Sequence, residues 1–148
     1  MLNDSFKMSG ELDIVVTGPD GQIKEQTTVP NLVVTVGKYF VASRMTGAAS
    51  AVMSHMAIGS SSTAAAAGDS VLGGELGRVA LTTAGGVATN GVVEYIASFP
   101  AGTGTGGVQE AGIFNATPAG TMLCRTTFPI VNKGTDDSIT ITWRVTVS

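Results

Sequence analysis

Five charged side chains in this 148-residue chain have the types and neighbours to do chemistry: Asp69, Glu75, Arg78, Glu110 and Arg125. They are the charges placed closest to packed apolar segments. Carboxylates so placed could hold a divalent cation, but calcium sites draw several oxygen ligands from close spacing. They could also form an acid pair, which requires raised pKa values. Neither pattern is present in the spacing. The expected role is structural: Glu75 or Glu110 pairs with Arg78 or Arg125 and pins loops to the body of the fold. No residue is assigned as catalytic, cofactor-binding or metal-binding, and the chain is expected not to be an enzyme.

The remaining motifs read as structure. Gly102-Thr-Gly104-Thr-Gly106-Gly107 satisfies G-x-G-x-x-G. A dinucleotide site needs a helix directly after that pattern, whereas Val108-Gln-Glu-Ala-Gly-Ile-Phe114 reads as a strand, so a flexible loop is expected. His55, the single histidine, lies on an extended segment with no nucleophile motif beside it and reads as half-buried or interfacial. Cys124, the single cysteine, forms no disulfide within the chain and reads as a small buried apolar residue. Asn3-Asp-Ser5 and Asn115-Ala-Thr117 match the glycosylation triplet but carry no weight without a secretory leader.

Positioning such residues falls to strands. Ile139, Ile141, Trp143, Val145 and Val147 alternate with Thr140, Thr142, Arg144 and Thr146, and a period of two means one buried and one wet face. Trp143 is therefore a core residue, flanked inside by Ile141 and Val145. Leu12, Ile14 and Val16 repeat the pattern over 11–17. Gly18-Pro-Asp-Gly21 then turns the chain, and 22–29 returns as a polar strand ended by Pro30. One helix is expected from Thr35 to about Thr46, capped by Thr35 and closed by Gly47, with Val36, Phe40, Val41 and Met45 as its apolar face. Further strands are expected over 52–58, 77–83, 91–99, 108–115, 121–128 and 137–147, with Asn90-Gly91 inside a turn. Residues 1–9 read as a flexible arm and 10–148 as a single domain. The fold class is all-β: an antiparallel, jelly-roll-like β-sandwich of about eight strands, with the helix over one open end.

Composition narrows the function. The 43% hydrophobic fraction, with a mean hydropathy of +0.32, argues against disorder. Net charge is −3 and basic residues are scattered, so the footprint of nucleic-acid binding is missing. No apolar run approaches the ~20 residues that span a bilayer, and the start has no apolar leader region, so a cytoplasmically made protein without a membrane partner is expected. Charged residues make up 13% of the chain, about half the usual share. Such a surface does little to keep copies apart, which suggests a protein that works assembled.

From Asn31 onward the chain resembles a family of small bacteriophage virion proteins. The resemblance rests on Asn31-Leu-Val-Val34, Ala57-Ile-Gly59, and the spaced set Asp69, Leu72, Glu75 and Arg78. It continues through Glu110-Ala-Gly-Ile-Phe-Asn115, Met122-Leu-Cys-Arg-Thr-Thr-Phe128, Asn132-Lys133 and the closing strand. In particular, the chain is similar to jelly-roll cement or decoration proteins on the outside of podovirus-type heads. Such proteins are also labelled tail-fibre components. The resemblance implies a structural protein of the virion, made in the host cytoplasm and bound to the outer surface of the capsid. Its partners would be the major capsid protein and a second copy of itself, most simply as a dimer, and it would need no cofactor. The alternative is a tail-fibre or baseplate module that takes part in host receptor binding.

Overall fold

The computed structural model describes residues 7–47 and 50–148. The chain opens with a long hairpin, β1 (Met8–Thr17) and β2 (Ile23–Val33). At its tip the Gly18 N–H donates to the Gln22 carbonyl and the Gly21 N–H to the Gly18 carbonyl, at 2.9 and 3.0 Å. Gly21 adopts φ 81° there, a conformation glycine reaches without penalty. After α1 (Thr35–Arg44) come β3 (His55–Gly59), β4 (Glu75–Ala80), β5 (Val87–Thr89), β6 (Val92–Phe99), β7 (Gly106–Phe114), β8 (Met122–Lys133) and β9 (Ser138–Val147). Every pairing is antiparallel, in the order β4-β3-β7-β8-β2-β1-β9-β6-β5. The sheet curls into a sandwich-like, all-β fold with one short helix, the class expected from the alternation.

β2 joins the two layers. Residues as far as Asn31 pair with β1, and only Leu32 and Val33 pair with β8, opposite Arg125 and Cys124. The β4 end of the curl meets β6 where the Thr82 N–H, just after β4, donates to the Ile96 carbonyl at 2.9 Å. Between the layers lie Leu12, Ile14, Val16, Phe99, Ile113, Cys124, Ile139, Ile141 and Trp143. Trp143 is fully buried, and its indole N–H donates to Asn31 Oδ1 at 3.1 Å. A second, smaller core of Val34, Ala57, Leu72, Phe114 and Met122 lies on the opposite face of β3, β7 and β8. Residues 60–74 close over that face. β7 is consequently buried on both sides, and a strand covered twice is apolar almost throughout.

Several boundaries differ from the sequence reading, each for a local reason. Nine strands form, because the Asn90-Gly91 turn closes a separate hairpin of β5 on β6, with Asn90 at φ 55°. Pro30 does not end β2. It sits opposite Glu11 where the strand leaves β1 for β8, at an edge position that tolerates a missing N–H, and its carbonyl accepts from Thr126 Oγ1 at 2.6 Å. Val34, not Thr35, stands at the helix N-cap, with no side-chain cap, and Met45 is 84% exposed rather than part of the apolar face. Gly37 is buried in α1 because a Cβ there would land on the Leu123 carbonyl of β8. Of the arm expected over 1–9, Met8 and Ser9 instead belong to β1, and Lys7 exchanges backbone hydrogen bonds with Ser148. The rest of that arm lies outside the described residues.

Candidate functional site

The five charged residues come together as two separate assemblies on the outer face of the β3–β7–β8 layer. Register explains the first. Arg125 lies opposite Gly112 and Glu110 opposite Thr127. The two charged residues are thus diagonal neighbours on one face, within reach of long side chains. Over Gly112 pack Leu72 and Phe114, so that a Cβ there would stand 3.1 Å from Leu72 Cδ2 and 3.2 Å from Phe114 Cε2.

Glu110 is fully buried. Its Oε2 accepts N–H groups from Ser61 at 3.0 Å and Gly74 at 2.7 Å. Its Oε1 accepts the Gly73 N–H at 2.8 Å and two Arg125 donors, Nε at 3.2 Å and Nη2 at 3.0 Å. Arg125 Nη1 reaches Asp69 Oδ2 at 2.9 Å, and Nη2 also donates to the Thr63 carbonyl at 3.0 Å. Asp69 itself accepts the Ala66 N–H at 2.8 Å. A buried ion pair is tolerated when its other lone pairs and protons find partners, and here they do. Backbone crowding fixes the arrangement, since a Cβ at Gly59 would stand 2.5 Å from Glu110 Oε2. The carboxylate's acceptor positions are taken by N–H donors, so its chemical work is to clamp residues 60–74 onto the sheet.

Arg78 anchors the second assembly. It pairs with Glu75 through Nη2 at 2.6 Å and Nε at 3.2 Å, and donates to the Ala116 and Ala119 carbonyls at 2.8 and 2.6 Å. Its guanidinium lies 3.9 Å from the centre of the Phe114 ring, a cation–π contact that favours arginine over lysine. The 115–120 turn is thereby tied to β4. The expected pairing of these acids and arginines is present, Glu75 with Arg78 and Glu110 with Arg125, and Asp69 joins the second pair.

The other candidates sit apart. His55 is half-buried, with Nδ1 2.8 Å from Ser54 Oγ. Cys124 is buried in the main core, and burial pushes its thiol pKa upward. Residues 102–107 lead into β7 as expected, but they form no loose loop. Gly104 packs so close to Ile58 that a Cβ would overlap that side chain. Asn115 is held by its own side chain, which accepts the Thr121 N–H at 2.6 Å and donates to the Ala51 carbonyl at 3.2 Å. Asn3 lies outside the described residues. Among the described residues no group of three or more His, Cys, Asp or Glu side chains is placed to hold a metal ion.

Two polar clusters escaped the sequence reading because they depend on strand register. Lys133 is buried, and its Nζ donates to the Pro100 and Asp137 carbonyls at 2.9 and 2.6 Å. Burial holds the Lys133 ammonium below its usual pKa. The Asp137 carboxylate accepts from Lys24 Nζ at 3.0 Å and from the Gly134 N–H at 2.8 Å, and these bonds, the Lys24 one first, lower its pKa. On the wet face of the other layer, Arg144 pairs with Asp13 at 3.0 Å, with Glu94 at 3.6 Å and Glu11 at 3.7 Å nearby. Thr28 Oγ1, then Arg144, lowers the Asp13 pKa. The advance signal for the second cluster was charged residues on the polar faces of three strands, Glu11 and Asp13 on β1, Glu94 on β6 and Arg144 on β9.

Comparison with protein-family models, with curated proteins and with solved structures finds no match to this chain.

Proposed function

We propose that the protein is a non-enzymatic decoration protein of a phage capsid. In this reading it binds the outside of the head as a homo-oligomer, most simply a dimer, and reinforces contacts between major capsid protein subunits. One observation carries the reading. Gly59, Asp69, Leu72, Glu75, Arg78, Glu110, Phe114, Met122 and Arg125 are among the residues on which the resemblance to cement proteins rests. They converge on the clamp and small core of one sheet face. In this reading these residues serve to build a scaffold, as the role requires.

What the scaffold leaves free suits attachment. Among the described residues, β2 has no strand on its second side before Leu32, and Ile23 on that strand is 61% exposed. Open edges of this kind accept a strand from a neighbour through main-chain hydrogen bonds. Weak contacts to two adjacent shell subunits raise effective concentration and give avidity, and a ligand that binds only the assembled shell stabilises it by mass action.

Heads assembled without the protein supply the test. Adding the purified chain back is expected to decorate them and to raise the temperature at which packaged DNA becomes accessible to an intercalating dye. Heads that neither bind the chain nor change their rupture temperature would overturn the proposal.

A further inference from the structure

Among the described residues, Lys7 and Lys38 are the two cationic side chains with neither a hydrogen bond nor an ion pair. Both line the same groove. It runs between the start of β1 (Lys7, Met8, Ser9) and α1 (Lys38, Val41, Ala42, Met45), with a volume of about 610 Å³. Ligand clefts span roughly 300–1,000 Å³. Its floor is apolar and its two charges have the same sign.

The backbone supplies a third feature. Lys7 and Ser148 exchange both N–H···O bonds, at 2.7 and 2.9 Å. In an antiparallel ladder the next residue's polar groups point to the other side, so the N–H and C=O of Met8 face away from β9, toward α1. β2 does not cover them, because its pairing with β1 begins at Gly10.

We propose that this groove docks an extended peptide segment of a partner protein carrying alternating apolar and acidic side chains. The peptide main chain bonds to Met8 along the free edge of β1. Its apolar side chains cover Val41, Ala42 and Met45, and its carboxylates meet Lys7 and Lys38. An anionic amphiphile without amide groups would satisfy the floor and the charges but leave the Met8 groups unpaired. The inference deepens the proposed function and rests on it for the partner's identity, since a shell subunit would then supply the segment.

The probe is the end-blocked synthetic pentapeptide DVELD, titrated into the isotopically labelled full chain and followed by amide chemical shifts. The expected result is a saturable shift of Met8, Lys38, Val41 and Met45. The doubly substituted Lys7→Glu, Lys38→Glu protein, with an unchanged melting curve, is expected to bind about tenfold more weakly. The basic peptide KVKLK is expected not to bind. Equal responses to both peptides, shifts confined to another surface, or no response would overturn the docking site. So would a shift of the Lys38, Val41 and Met45 amides on deleting residues 1–6 without peptide, which would mean that the chain's own start fills it. Decoration of bare heads reads out separately. Heads bound without a peptide response would overturn only the groove. A peptide response without head binding would overturn only the shell role.

Discussion

A carboxylate that accepts three backbone N–H groups and a guanidinium inside the protein reveals its worth when its charge is removed. Glu110→Gln keeps the shape but sets an amide NH₂ against N–H donors and leaves Arg125 opposed by Asp69 alone. Breaking one side of a buried pair costs about 3–5 kcal/mol, so the urea midpoint should fall sharply, and an unchanged midpoint would contradict the clamp. Trp143→Ala should cost a similar amount, about 3–5 kcal/mol, through the cavity it opens, and it also releases Asn31. A melting temperature unmoved by that change would overturn the register of β9. The two residues differed in legibility. Trp143 was readable as core because its strand alternates without a break. That Glu110 would pair with an arginine was readable, but which arginine was not. The choice follows from the diagonal offset between β7 and β8, and register is set by long-range pairing rather than by local spacing.

Elements reveal where local preference yields to packing. In a free helix, Gly37→Ala would gain about 1 kcal/mol. Here the added methyl would meet the Leu123 carbonyl, so the substitution should lower the melting temperature, and a rise would contradict the close seating of α1 on β8. Propensity alone would count glycine at 37 as a weakness. In the same way, Pro30 looked like a strand end until its edge position was known. Ties between elements also set the acid limit. Asp13 links β1 to β2 and β9, and Asp137 links the β8–β9 turn to β2. Both carboxyls are held below their ordinary range in the folded protein. Their contribution is therefore complete above the unfolded value of about 4 and is lost as pH falls through the lower folded values. Melting temperature should drop as pH falls below about 4, and Asp13→Asn should flatten that drop. An Asp13→Asn protein with the same acid dependence as the parent would exclude Asp13 from the effect.

At the scale of the whole molecule, the all-β class, the single helix and most strands could be read from period-two alternation and turn residues. Closure could not. β5 is only three residues long and wholly exposed, without an apolar face to betray it. The passage of β2 between layers depends on two pairs at its end, Leu32 with Arg125 and Val33 with Cys124. The features best suited to recognition, the free edge of β2 and the groove beside α1, are likewise defined by where neighbouring strands stop. The candidate site was legible as a set of residues and as a structural role, while its geometry became visible only in the fold. The shell role is tested most directly by separating heads from tails of virions that carry this chain and measuring its amount, by mass spectrometry, relative to the major capsid protein. The account predicts that the chain fractionates with heads in a fixed ratio to the shell subunit, and its absence from heads together with its presence in tails would contradict it.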